Sequence, residues 1–270
     1  MLKIPSVTAI IIQAVSGTDS VEKEDFLAIE EPLEIWLEYG PAQARVSRTL
    51  SITMRTPGAD EDLLRGFLLT EGIVRHAGEI SDIHIVAENR ILARLEPTAA
   101  FDMALLDRHF YTTSSCGVCG KTSIEALKTT AVGKLNPLNY NILNSDVIYA
   151  LPDRLRAAQS SFELTGGLHA SALFSLDGAL LAVREDVGRH NALDKLIGHY
   201  ATVPGLPLED KILLLSGRAS FELIQKAAVA GIPVVCAVGA PSSLAVATAQ
   251  EFGIVLIGFL RGRRFNVYNG

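Results

Sequence analysis

The sequence predicts an α/β protein in two parts: a β-rich α+β domain over residues 1–134 and a three-layer α/β domain over residues 135–270. Three observations carry that prediction. In the first half, apolar and polar side chains alternate, as they do in strands with one face buried. In the second half, short unbroken apolar runs such as residues 211–215 and 233–238 alternate with helical segments, the pattern of βαβ units with a sheet covered on both faces. The 270 residues are 49% hydrophobic with a mean hydropathy of +0.29, which is enough apolar surface for more than one core.

Each element has its own signal. Residues 4–15 carry alternating β-branched side chains and read as a strand; Pro5, Ser6, Thr8 and Gln13 dilute the run too far for a secretory leader. Residues 29–39 and 46–56 form two strands on either side of the turn pair Gly40-Pro41. Pro57-Gly58-Ala59-Asp60 opens a helix with Leu63, Leu64, Phe67 and Leu68 on one face. Residues 83–87 and 90–95 make a hairpin around Glu88-Asn89. A less regular stretch, 97–113, leads to a cysteine segment and a helix over 122–129, and the domain boundary falls near Asn136-Pro137. Ser145 caps a helix reaching about Ser160, and Thr165-Gly166-Gly167 breaks it. Residues 169–176 and 179–184 form a hairpin around Asp177-Gly178. Helices at 191–200, 221–230 and 243–252 then alternate with strands at 211–215, 233–238 and 254–259, which predicts a mainly parallel sheet.

Charge narrows the function. The net charge is −6, with nine basic against sixteen acidic residues in 1–100 and fifteen against fourteen in the remainder, which ends with Arg261, Arg263 and Arg264. Such a chain is a poor binder of duplex nucleic acid, although its C-terminal half can host a small anion. No apolar run reaches the roughly 20 residues of a membrane helix, so no membrane partner is expected. Three cysteines, an odd number, fit a reducing compartment, and the expected location is the cytoplasm. The apolar composition also fits a homodimer.

In open α/β sheets, ligands sit beyond the carboxyl ends of the strands. Four loops there have unusual content: Glu185-Asp186-Val187-Gly188-Arg189-His190-Asn191, Ser216-Gly217-Arg218-Ala219-Ser220, Gly239-Ala240-Pro241-Ser242-Ser243 and Leu260-Arg261-Gly262-Arg263-Arg264. Glycine admits close backbone approach, helix-start hydroxyls leave N–H groups for phosphate, and arginine gives bidentate contacts. Any one such loop is ordinary helix-entry chemistry. Four on one rim, three of them with arginine, indicate a phosphorylated ligand of nucleotide size. His190, in a polar loop, and His169, at a strand start, are further candidates for that rim. Glu185 and Asp186 suit orienting arginines or capping a helix. Neither G-x-x-x-x-G-K-[ST] nor a post-strand G-x-G-x-x-G is present, so neither an NTPase nor a dehydrogenase is indicated.

Ser114-Ser115-Cys116-Gly117-Val118-Cys119-Gly120-Lys121 holds two of the three cysteines at Cys-x-x-Cys spacing. That spacing serves a metal, a redox disulfide or sulfur carriage. A structural zinc site wants four ligands, and the third cysteine, Cys236, lies in an apolar strand as a small hydrophobe. His109 completes a set only through an unusual arrangement, and the deaminase pattern of His-x-Glu with Pro-Cys-x-x-Cys is absent, so no metal is expected. A thioredoxin-like disulfide oxidoreductase has this spacing, but places it after an early strand of a small domain. Sulfur carriage needs an exposed thiolate on a mobile loop: Gly117 and Gly120 allow the mobility, and Lys121 is either a solvated helix-start lysine or a charge that helps hold the thiolate. The residues alone leave redox and carriage both open, with a non-catalytic nucleotide-binding chaperone as a third class.

Six segments in order strengthen one of these. Cys-Gly-Val-Cys-Gly-Lys at 116–121, Gly-Gly-Leu-His at 166–169, Arg-Glu-Asp-Val-Gly-Arg-His-Asn-Ala at 184–192, Ser-Gly-Arg-Ala-Ser at 216–220, Gly-Ala-Pro-Ser-Ser at 239–243 and Gly-Phe-Leu-Arg-Gly at 258–262 resemble the FdhD family of formate dehydrogenase accessory sulfurtransferases. The resemblance covers about residues 26–270. It implies a sulfurtransferase that takes sulfur from a cysteine desulfurase as a persulfide. The sulfur then passes to a molybdenum (or tungsten) bis(guanine dinucleotide) cofactor, held as cargo before insertion into apo formate dehydrogenase. It also implies a cytidine-deaminase-like C-terminal fold without the zinc, a persulfide on Cys116, and cofactor contacts from Phe259, Leu260, Arg261, Gly262, Arg263 and Arg264. On this reading the rim of Arg189, Ser216, Gly217, Arg218, Gly239 and Ser242, with both histidines, receives the cofactor's diphosphates and guanines. Cys119 either resolves the persulfide as a disulfide or only constrains the loop.

Overall fold

The structure, a computed structural model, describes residues 6–99, 135, 138, 143–202 and 206–270. Cys116, Cys119, Lys121, His109, the helix expected at 122–129 and the boundary at Asn136-Pro137 lie outside the described residues.

The chain begins with an antiparallel hairpin, β1 (Val7–Ser16) and β2 (Asp19–Ala28), which forms a sheet of its own. A four-stranded sheet follows, built from β3 (Glu31–Tyr39), β4 (Val46–Arg55), β5 (Ile80–Ala87) and β6 (Arg90–Leu95) in the order β4-β3-β6-β5. Alternation decides its faces. Leu33, Ile35 and Leu37 turn inward with Ile91, Ala93 and Leu95 and pack on Leu63, Leu64 and Leu68 of helix α1 (Asp60–Thr70). Glu34 and Glu38 face outward and pair with Arg90 at 2.7 Å and Arg94 at 2.5 Å.

The second sheet has six strands, β7 (His169–Ser175), β8 (Leu180–Asp186), β9 (Lys211–Leu215), β10 (Val234–Ala237), β11 (Val255–Arg261) and β12 (Arg264–Asn269), in the order β12-β11-β10-β9-β7-β8. Helices α2 (Ser145–Ala158), α3 (Ser160–Thr165), α4 (Arg189–Ala201), α5 (Phe221–Val229) and α6 (Ser243–Phe252) accompany it. Leu213, Leu215, Val235 and Leu256 pack on one side with α4, α5 and α6. Ile212, Leu214, Cys236 and Ile257 pack on the other with α2, so three layers form as the continuous apolar strands require.

Two expectations change. The sheet is mixed, not mainly parallel: only β9, β10 and β11 pair in parallel, while β7, β8 and β12 join antiparallel. Tight reversals at Gly178 and Gly262 leave no room for crossover helices at either end. The cap of α2 is Asn144, whose side chain accepts from the Asp146 N–H at 2.9 Å, and not Ser145.

The two sheets meet where α1 crosses α4. A Cβ on Gly66 would lie 1.9 Å from the Asp194 carbonyl oxygen, and one on Gly198 would lie 1.8 Å from that of Asp62. Glycine at both positions lets the helix backbones touch. Two buried lysines flank the crossing. Lys195 Nζ sits 2.7 Å from Asp186 Oδ2 and donates to the Thr56 carbonyl at 2.7 Å. Lys226 Nζ donates to Thr70 Oγ1 at 2.7 Å, Glu71 Oε1 at 3.0 Å and Asp194 Oδ2 at 2.9 Å. Burial alone would push the Lys226 ammonium toward neutrality, but the carboxylates of Asp194 and Glu71 raise its pKa and hold it charged.

Candidate functional site

β8 and β9 both run antiparallel to β7, so the carboxyl ends of β8, β9, β10 and β11 share one edge with the start of β7. All four arginine- and serine-bearing loops therefore leave the sheet on that edge. At strand spacings of about 4.8 Å, the loop after β8 and the end of β11 stand roughly 19 Å apart, with the start of β7 and the ends of β9 and β10 between them.

Backbone contacts stitch the middle together. Gly239 N–H donates to the Gly217 carbonyl at 2.9 Å, and Phe259 N–H to the Gly239 carbonyl at 3.0 Å. A Cβ on Gly239 would come within 3.0 Å of that Gly217 oxygen and 3.1 Å of Arg218, so the strand ends approach closely only because glycine stands there. Phe259 itself sits at φ 53, the left-handed region, where the strand bends beneath Arg261, whose guanidinium is 5.9 Å from the ring centre.

Several hydroxyls named from sequence are engaged in the fold. Ser216 Oγ accepts from the Ala170 N–H at 2.8 Å, and Ser242 Oγ caps α6 by accepting from Ala245 N–H at 3.1 Å. Leu260 is fully buried in the core under α2 and brings only backbone to the edge. Arg263 turns aside, 2.8 Å from Asp146 and over the Tyr149 ring. Arg261 and Arg264 line a smaller cleft of about 240 Å³ with Phe259 and Asn266. Gly262 is the turn that reverses β11 into β12, at φ 58. Glu185 caps a helix, accepting from Phe162 N–H at 2.9 Å. Asp186 is wholly buried and holds Lys195, not an arginine, because the end of β4 rather than the rim lies against it.

The two histidines lie in the cationic part of the edge. Burial, then the charges of Arg189 and His190, hold the His169 imidazole below its ordinary value of 6.5, and Arg218 acts in the same sense. His190 Nε2 lies 3.5 Å from Ser220 Oγ and 3.8 Å from Glu222 Oε2. Burial would raise the Glu222 carboxyl, but the His190 hydrogen bond brings it below the usual carboxylate range.

A cleft of about 500 Å³ opens beside this edge, walled by Asp153, Arg156, Gln159, Phe162, His169 and Ser216. Arg156 stands 4.5 Å over the Phe162 ring centre. Gln159 is 4% exposed, and its Nε2 has no hydrogen-bond partner among the described residues. The sequence motifs do not include the first four; Asp153, Arg156 and Gln159 fall in the helix expected from Ser145 to about Ser160, and Phe162 follows it. Their signal was spacing: polar and aromatic side chains recur every third residue from 153 to 162. Among the described residues no helix is long and apolar enough to cross a membrane.

A two-part α/β chain carries arginines and close-packed glycines along one edge of its mixed sheet. Comparison with known proteins makes this specific: the FdhD/NarQ family model matches residues 28–270, and the chain belongs to that family. It is 49% identical to the sulfur carrier protein FdhD of Streptomyces avermitilis over 92% of this chain and 88% of that one. It is 45% identical to that of Mycobacterium bovis over 95% and 94%, and 42% identical to that of Sulfurisphaera tokodaii over 93% and 92%. The fold matches the crystal structure of a proposed formate dehydrogenase accessory protein from Desulfotalea psychrophila with a TM-score of 0.77, covering 98% of both chains at 24% identity.

Proposed function

We propose that this protein is a sulfur carrier that loads a guanine-dinucleotide molybdenum or tungsten cofactor with sulfur for formate dehydrogenase. The observation that carries the reading is identity of 42–49% to sulfur carrier proteins over more than nine tenths of the chain. The cationic edge supports the cofactor half of the proposal, since the guanidinium groups of Arg189 and Arg218 suit a diphosphate. Arg261 and Arg264 supply charge at the far end, around the cleft they line with Phe259. The domain organisation, an N-terminal part to residue 134 and a cofactor-binding part from 135, belongs to the same proposal, as does a cytidine-deaminase-like fold without zinc for the second part.

In the first step the Cys116 thiolate attacks the terminal sulfur of a cysteine desulfurase persulfide. One S–S bond breaks and one forms, the desulfurase thiolate leaves, and no net oxidation occurs. Release of that sulfur as sulfide needs two electrons. Cys119 supplies them by closing a Cys116–Cys119 disulfide, which a cellular dithiol then reopens. The test is intact mass after incubation with a desulfurase and cysteine. A persulfide adduct on the wild type that vanishes in Cys116→Ala supports carriage. Absence of any sulfur adduct, with insulin reduction in its place, favours a disulfide oxidoreductase.

A further inference from the structure

The hairpin of β1 and β2 is an arm outside the cores of the protein. None of its side chains joins an apolar core of the described residues, and the family match begins only at residue 28, the last of β2. Yet Ile10, Ile11, Val15, Val21 and Leu27 stand exposed on it. Its foot is fixed, with Ser6 Oγ 2.9 Å from Ser161 Oγ of α3 and the Ile29 N–H donating to the Ser6 carbonyl at 2.9 Å. A ribbon of two strands is marginal in water unless something packs on it.

The two strands are not alike. β2 carries Asp19, Glu22, Glu24 and Asp25 against Lys23 alone, and charge of that density guards an edge against pairing. β1 has no charged residue, proline or glycine in its ten, which is the composition of an edge open to pairing. Among the described residues it pairs only with β2. Ser6 and Ile29 form a hydrogen-bonded pair, so the antiparallel alternation turns the backbone groups of Thr8, Ile10, Ile12 and Ala14 toward β2. Those of Ala9, Ile11, Gln13 and Val15 point outward. On one face of the ribbon Ile11 and Gln13 lie opposite Glu24 and Glu22. The other face carries Ile10, Ile12, Ala14, Val21 and Leu27, with Lys23 and Asp25 offsetting each other.

We propose that β1 is a docking edge that takes an extended segment of a partner protein as a third strand, with basic residues on its Glu22 and Glu24 face and apolar residues on the other. Charge chooses the occupant. The carboxylates repel nucleic acid and anionic lipid. A second copy of this chain would bring a second β2 with the same excess of carboxylate, whereas a basic segment neutralises the first. A basic side chain on the added strand stands two strand spacings, roughly 10 Å, from Glu22 or Glu24, a gap that two long side chains close between them. Main-chain bonds along residues 9–15 supply the affinity, and the alternation of the two faces sets the register. α3, on which the arm stands, also walls the 500 Å³ cleft through Phe162, so the foot of the arm holds a docked partner beside the candidate site.

The experiment is fluorescence anisotropy of labelled decapeptides titrated with the full chain: one alternates valine with lysine, one valine with serine and one valine with glutamate. The valine–lysine peptide is expected to bind roughly tenfold more tightly than the valine–serine peptide, with valine–glutamate weakest. Gln13→Pro removes one outward N–H and no hydrogen bond between β1 and β2. It should therefore lose roughly tenfold in affinity for the valine–lysine peptide and keep the melting temperature of the protein. Glu22→Gln combined with Glu24→Gln should erase the preference for lysine and leave the valine–serine affinity unchanged. Equal affinities for the three peptides, or undiminished binding by Gln13→Pro, would overturn the docking edge. Failure of the wild type to bind any of them would do the same; if that chain sediments as a dimer which Gln13→Pro splits, the edge belongs to a second copy. None of these outcomes bears on sulfur loading at Cys116, which the mass measurement tests separately.

Discussion

Gly66 of α1 and Gly198 of α4 face each other across a crossing so close that a Cβ on Gly198 would lie 2.7 Å from the Gly66 nitrogen. Backbone atoms cannot step aside as a flexible side chain would. Gly198→Ala is therefore expected to cost about 3 kcal/mol in denaturant unfolding, the upper end of overpacking penalties, and to loosen the first sheet from the second. Gly17→Ala, at the exposed turn of the first hairpin with open space about it, should disturb neither core and cost only the strain of its positive φ, about 1 kcal/mol.

Lys226 is the charge that makes Asp194 tolerable inside the protein. Removing it as Lys226→Met leaves a carboxylate that is 2% exposed without its counter-ion, an expected loss of about 3–5 kcal/mol. The double variant Lys226→Met with Asp194→Leu should regain most of that stability. Equal losses in single and double variants would mean the pair contributes nothing as a pair.

His169 gives a signed pH dependence. Its folded pKa lies below its ordinary value of 6.5, so the unfolded chain binds this proton more readily than the folded one. The contribution to stability is fully present above pH 6.5 and falls as pH drops through that value toward the folded pKa. Melting temperatures between pH 5 and 8 should fall more steeply on the acid side for the wild type than for His169→Gln. Parallel profiles would show that neither burial nor the charges of Arg189, His190 and Arg218 lower this ring's pKa.

On the carrier proposal, the work of Cys119 is separable from that of Cys116. In Cys119→Ala the persulfide should load to the wild-type extent but give up sulfide only when an external thiol is added, followed by mass and by sulfide release together. Release at the wild-type rate would make Cys119 a loop residue without redox work.

Much of the fold could be read from the sequence because its signals are local. The strand Lys211–Leu215 falls on the residues its apolar run marks, and the hairpin at Asp177-Gly178 turns where the dipeptide says. β2 and β12 are harder to read: Asp19–Ala28 is charge-rich and largely exposed, and Arg264–Asn269 offers only the brief alternation of Phe265 and Val267. Lys195 and Lys226 look like solvated helix lysines until α1 is laid against them, since their partners lie more than a hundred residues away or on another element. The arginine loops were visible by composition. The burial of Gln159 was not, because it depends on where α2 and α3 lie over the sheet.

The position of each loop along the sheet edge sets a length as well as a charge. A ligand bearing one diphosphate reaches either the loop after β8 or the end of β11, roughly four strand spacings away, but not both. On the cofactor reading the edge acts as a ruler: a mononucleotide registers at one mark, while a molecule with two nucleotide arms touches two. The second contact then forms at the effective concentration set by the first. A dinucleotide cofactor would be held far longer than either half alone, by the spacing of strands rather than by any tighter single grip.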